Sequence, residues 1–114
     1  MRCNCDNKET FQLKLEGDVD TDPIWCGECG VNITLQELPI SRELKAELVE
    51  WVMIYDEWID WSKDRLRPNG IELEEKHNKL GQQLTEKLKQ ELGAKYKVAF
   101  APSLSARMYV GLDF

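Results

Sequence analysis

The sequence predicts an α+β domain: a cysteine-bearing β lobe, an antiparallel pair of long helices and a C-terminal β-hairpin. Three observations predict it. Four cysteines fall in two pairs before residue 30, among short stretches in which apolar and polar residues alternate. Two longer segments, ending near Asp64 and at Leu92, carry apolar residues at spacings of three and four, the helical period. The last stretch, from Tyr96, returns to alternation. With 114 residues, 42% of them hydrophobic, the chain can bury one sizeable core and is too short for two ordinary domains. Residues 1–114 are therefore expected to form one domain, with a cysteine lobe at 1–38 and the helical hairpin plus C-terminal β-hairpin at 39–114.

Within the lobe, Cys3-Asn4-Cys5 precedes Thr10 to Glu16, where Phe11, Leu13 and Leu15 alternate as a half-buried strand requires. Gly17-Asp18 turns the chain, and Val19 to Ile24 is expected to run back, delivering Cys26 beside Cys5. Val31 to Leu35 is a third, β-branched strand. Between them, Cys26-Gly27-Glu28-Cys29-Gly30 has the make-up of a metal knuckle, in which backbone N–H groups turn toward the sulfurs and glycines supply positive φ. The only other cysteines are Cys3 and Cys5, so all four are read as one metal site. Strand, turn, strand, knuckle, strand with cysteines at both ends resembles the zinc-ribbon family. The one-residue spacing of Cys3 and Cys5 departs from the ribbon pattern, which has two or more. The resemblance implies a structural Zn²⁺ on Cys3, Cys5, Cys26 and Cys29, with no open coordination position and hence no catalytic role.

Two other motifs overlap this region. Trp25-Cys26-Gly27-Glu28-Cys29 looks like the redox motif of thioredoxin-like proteins, but that motif follows a buried strand and opens a helix. Here an acidic turn precedes it and a β-branched strand follows. Asp18-Val19-Asp20-Thr21-Asp22 is similar to the start of a calcium-binding EF-hand loop. It then departs, with Pro23 where glycine is needed and Cys29 where the bidentate Glu is needed, so a solvated acidic turn is expected.

Ser41 is placed to cap the first helix, with Glu43 in its first turn, where negative charge suits the helix dipole. Leu44, Leu48, Trp51, Val52, Tyr55, Trp58 and Ile59 then form a broad apolar face, predicting helix to about Ser62 or Asp64. Trp51, Trp58 and Trp61 lie partly beside this face, as core or as partner anchors. Pro68-Asn69-Gly70 breaks the chain, and a second helix is expected from Ile71 or Glu72. Its stripe is Leu73, His77, Leu80, Leu84, Leu88 and Leu92, closed by Gly93. His77, the only histidine, reads as a core histidine bonded to a neighbour. Glu72, Glu74 and Glu75 are explained by the helix dipole. In the tail, Tyr96, Val98 and Phe100 alternate, Ala101-Pro102-Ser103 turns, and Ala106, Met108, Val110 and Leu112 alternate again.

The net charge is −6, and residues 1–40 carry eight acidic groups against three basic ones. Such a surface repels phosphate backbones and favours basic partners. The N-terminus has no apolar run and no stretch is long enough to span a membrane, so a cytoplasmic protein is expected, where thiols stay reduced and bind metal. No catalytic constellation assembles: there is no second histidine, no phosphate-cradling glycine loop and no nucleophile elbow. Glu57 to Trp61, Pro68 to Glu75 and Leu92 to Val98 also make Pro39–Met108 similar to small proteins of Gram-positive bacteria and their prophages. That resemblance implies a bacterial or phage setting and no mechanism. The leading function is a non-enzymatic, zinc-stabilised protein-binding module: an immunity protein against a basic toxin, or a phage modulator of a host factor. Asp18, Asp20, Asp22, Trp51, Trp58 and Trp61 are its candidate partner contacts. The alternatives are a nucleic-acid-associated ribbon using Lys87, Lys89, Lys95, Lys97 and Arg107, and a thiol redox protein using Cys26 and Cys29.

Overall fold

A computed structural model describes residues 3–6 and 8–106. Alternation makes the first strand, β1 (Gln12–Leu15), in which Leu13 and Leu15 are buried while Gln12 faces solvent. β2 (Ile24–Cys26) returns antiparallel, with Leu13 opposite Cys26 and Leu15 opposite Ile24. β3 (Asn32–Ile33) extends the meander, with Ile33 opposite Ile24. The second strand is shorter and later than expected. Its first residues stay in the turn, where Asp20 adopts φ +58°, and the Glu16 N–H closes the loop on the Pro23 carbonyl at 2.9 Å. Leu35–Glu37 forms a single 3₁₀ turn whose Leu35 N–H donates to the Asp22 carboxylate at 3.0 Å.

The first helix, α1 (Arg42–Met53), starts as expected, with Ser41 Oγ accepting the Leu44 N–H at 3.1 Å. It ends well before Ser62, which corrects the expected length. Asp56 has φ +66°, outside the helical region, and turns the chain under the helix. Beyond it, β4 (Ile59–Asp60) and β5 (Arg65–Leu66) form a two-stranded hairpin, and Trp58, Ile59 and Ala106 make a small second core. Trp58 and Ile59 are thus buried as the helical period demands, but from a turn and a strand.

The second helix, α2 (Gly70–Leu92), runs almost as predicted and ends at Gly93, φ +78°. Ser41 meets Glu91, Glu47 meets Lys87 and Trp51 meets His77, so the two helices run antiparallel. The buried face of α2 is rotated from the leucine stripe. Leu80 is 40% exposed, while Gly81 and Thr85 are buried. A β-carbon on Gly81 would lie 2.5 Å from the Phe100 ring and 2.8 Å from Trp51, so the absence of a side chain lets both rings approach the helix.

β6 (Lys97–Phe100) joins the sheet parallel to β1, giving the order β3-β2-β1-β6. A parallel neighbour needs a long crossover, which both helices supply. The predicted C-terminal hairpin is corrected in part: among the described residues the partner of β6 is β1, residues 101–104 are irregular and residues 105–106 are helical. Met108, Val110 and Leu112, the rest of the expected last strand, lie outside the described residues. The main core lies between sheet and helices and draws Leu13, Leu15 and Ile24 together with Leu48, Trp51, Leu84 and Leu88. No helix among the described residues is long and apolar enough to cross a membrane.

Candidate metal centre

Two turns bring the four thiols together. At the N-terminus, Lys8 adopts φ +57° and its N–H donates to the Cys5 carbonyl at 2.7 Å, folding Cys3 and Cys5 back on themselves. The Cys5 N–H donates to Cys3 Sγ at 3.4 Å. The second turn leaves the end of β2. The Gly30 N–H donates to the Cys26 carbonyl at 3.0 Å, and the N–H groups of Glu28 and Cys29 both point at Cys26 Sγ at 3.4 Å. Gly30, φ +78°, supplies the left-handed residue the knuckle requires.

The Sγ atoms of Cys3, Cys5, Cys26 and Cys29 all lie within 4.8 Å of one another, and those of Cys5 and Cys26 are 3.7 Å apart. Tetrahedral sulfur ligands at about 2.3 Å from a metal stand about 3.8 Å apart. The cluster can therefore hold a metal ion. Cys26 is buried, Cys3 and Cys5 half-buried and Cys29 exposed. Burial pushes the Cys26 thiol up, but the Cys29 N–H, the Thr10 hydroxyl, the Glu28 N–H and the Cys29 thiol outweigh it and bring its pKa to about 6. The Cys5 thiol is raised, chiefly through Cys3 and then by burial, with Cys26, Cys29 and the Glu28 carboxylate at 3.4 Å adding to it. A bound metal favours the thiolate form of its cysteine ligands.

The other candidate residues go to different places. Asp18, Asp20 and Asp22 stay in the β1–β2 turn, where Asp18 accepts the Val19 N–H at 2.7 Å and Asp22 holds Leu35. The tryptophans separate. Trp51 and Trp58 are buried, Trp51 Nε1 donating to the His77 carbonyl at 2.9 Å and Trp58 Nε1 to Ser105 Oγ at 2.8 Å. Trp61 is 61% exposed. His77 is buried, its ring stacked on Trp51 with centroids 4.3 Å apart. Its Nε2 lies 3.0 Å from the Trp51 carbonyl, an acceptor, so Nε2 carries the proton and Nδ1 is left without a partner.

A polar cluster that sequence reasoning missed holds the segment after β6. Buried Glu74 accepts from Ser103 Oγ at 2.9 Å and from the Ala106 N–H at 2.8 Å, while Ser105 Oγ donates to Asp56 at 3.0 Å. The signal was present: Glu74 sits three residues before His77, on the buried face of α2. The Asp56 carboxyl is raised, mainly by burial, against the Ser105 bond, with Asp18 and Glu74 also raising it.

Fold and cluster together define a small α+β protein with a four-thiol site at one end of its sheet. Residues 11–103 match the family model described as Serratia CdiI immunity protein-like, and the chain belongs to that family. No match to a curated protein was found. The matched span includes Cys26 and Cys29 and begins after Cys3 and Cys5.

Proposed function

We propose that this protein is a non-enzymatic immunity protein that binds and neutralises a protein toxin, and that a structural Zn²⁺ on Cys3, Cys5, Cys26 and Cys29 holds its N-terminal turn in place. The family match over residues 11–103 carries the reading. The net charge of −6 supports a basic partner, because complementary potentials speed association. A bacterial or phage setting, and action in the cytoplasm, accord with it. For the metal, four thiols within 4.8 Å of one another and two N–H groups on Cys26 Sγ favour Zn²⁺, and a four-cysteine site leaves no position for substrate or water. The nucleic-acid alternative has less support, since Lys87 pairs with Glu47 and Lys89 with Glu86.

Adjacent genes supply the candidate toxin. Production of this chain together with that toxin is expected to restore growth, and the purified pair to form a stable complex in gel filtration. A toxin that kills equally with and without the chain, and forms no complex with it, overturns the immunity reading. Protein purified without added metal is expected to carry about one zinc per chain. Metal-free protein of unchanged fold removes the zinc and leaves the immunity reading standing.

A further inference from the structure

The turn between β1 and β2 stands beside the outer face of α1, and the two enclose a groove of about 420 Å³. Its apolar part is open to solvent: Val19 is 57% exposed, Val49 43% and Met53 74%. Its rim is Asp18, Asp20 and Asp22, and among the described residues no lysine or arginine lines it. Among the described residues, no ion pair neutralises these carboxylates. One carboxylate oxygen of Asp18 and one of Asp22 accept backbone N–H groups. Thr21 Oγ1, also at the groove, is buried without a hydrogen-bond partner. The hydroxyl of Tyr55, another lining residue, has its pKa raised above the usual range, by burial first and then by the negative charge of Asp56 and Asp18. The groove thus combines an apolar floor with a negative potential.

We propose that this groove is a docking site for a cationic, amphipathic segment of a protein partner, seating a long apolar side chain on Val49 and Met53 and a lysine or arginine on Asp18 and Asp20. Cations are what three unneutralised carboxylates select, and Val19, Val49 and Met53 supply the apolar contact that a merely acidic surface lacks. A nucleic acid is repelled by the same charges. A second copy docked groove to groove would face three carboxylates with three more, since a two-fold contact pairs identical patches. The identification of the partner as a toxin rests on the immunity reading; the groove and the chemistry of its occupant do not.

The test titrates three synthetic peptides into the full chain while its backbone amides are followed by NMR: alternating Lys and Leu, the same with Leu replaced by Ser, and the same with Lys replaced by Glu. The Lys–Leu peptide is expected to shift residues 18–22 and 49–53 saturably and to bind at least about tenfold more tightly than either control, because it alone uses both halves of the groove. Asp20→Asn, which suits the positive φ, and Met53→Ser, at an exposed position, are each expected to weaken it at least about fivefold. Raising the salt to about 1 M, where screening extends only about 3 Å, is expected to weaken it as well. Equal binding of a control peptide, shifts centred elsewhere or the lack of saturable binding overturns the proposal. The double variant is then carried into the toxin assay. Undiminished protection and complex formation there overturn the groove as the toxin site while the immunity reading stands. Peptide binding at the groove without protection by the wild-type chain leaves the groove standing and removes the immunity reading.

Discussion

Gly81 shows how a single position can set the packing of this protein. An alanine there gains about 1 kcal/mol of intrinsic helix preference. Its β-carbon, however, would sit 2.5 Å from Phe100 and 2.8 Å from Trp51, two rings held from opposite elements. Overpacking of a filled core typically costs about 1–3 kcal/mol, so Gly81→Ala is expected to lower stability by about 1–2 kcal/mol in urea unfolding, opposite in sign to a surface Gly→Ala change. His77 makes the pH dependence. Burial holds its imidazole below the ordinary value, with the Trp51 carbonyl and Glu74 pulling the other way. An unfolded histidine titrates near about 6.5, so between that pH and the lower folded value the unfolded chain binds more protons and stability rises with pH. The contribution is complete above about pH 6.5 and is lost as the pH falls. Denaturation midpoints at about pH 7.5 and 5.5 are therefore expected to differ in the wild type, the acid one being lower, and to draw together in His77→Gln. A wild type with no acid loss in this window contradicts the assignment.

The elements differ in how openly their causes are written in the chain. Ser41 is a cap by residue type and position, and it caps α1 while also donating to Glu91 Oε2 at 2.8 Å. Ser41→Ala is expected to cost about 1 kcal/mol, measured by thermal or urea unfolding. The end of α1 was hidden. The spacing of Trp58 and Ile59 continues the helical stripe, yet Asp56 breaks the helix and the two residues serve the second core with Ala106. Nothing local marks Asp56 as a left-handed residue, because its carboxylate is answered by Ser105, distant in the chain. α2 was legible in extent and less so in orientation. Its leucines announce the period, but the close approach of Trp51 and Phe100 puts Gly81 and Thr85 inside and leaves Leu80 half in solvent. Glu74 belongs with this rotation, since a carboxylate on the buried face had to find Ser103 and the Ala106 N–H.

Taken whole, the molecule is closed by strand pairing as well as by its core. β1 lies between β2 and β6, so the first and last described strands share one sheet, with the Lys97 N–H on the Phe11 carbonyl at 2.8 Å and the Ala101 N–H on Leu15 at 2.9 Å. Cys26 belongs to the same core as Leu13 and Leu48, and Cys3 and Cys5 pack against it. The thiol site is therefore continuous with the main core. Metal bound at about 100 to 1,000 times its Kd stabilises the folded state by about 3–4 kcal/mol. A strong chelator, which removes the zinc proposed for this site, is expected to lower the melting temperature by about 10 °C or more, as one cooperative transition. Cys26→Ser is expected to show the lowered melting point and no further change with chelator. A chelator-insensitive wild type contradicts a metal at this site.

Residue types and short spacings were enough for the β meander around the cysteine knuckle, the cap at Ser41 and the extent of α2, and the presence of only four cysteines was enough to anticipate that Cys5 and Cys26, 21 residues apart, would meet. These features are governed by backbone sterics, the side-chain period and the small number of cysteines. What contacts between distant segments settled was different: the early end of α1, the rotated face of α2, the burial of Trp51 and Trp58 beside an exposed Trp61, and the pairing of β6 with β1. Each required surfaces more than twenty residues apart to meet, Trp51 with His77, Asp56 with Ser105, Leu15 with Phe100. Local periodicity reports that a side chain is to be buried; only the packed chain fixes which neighbour buries it, because many partners satisfy the same hydrophobic demand.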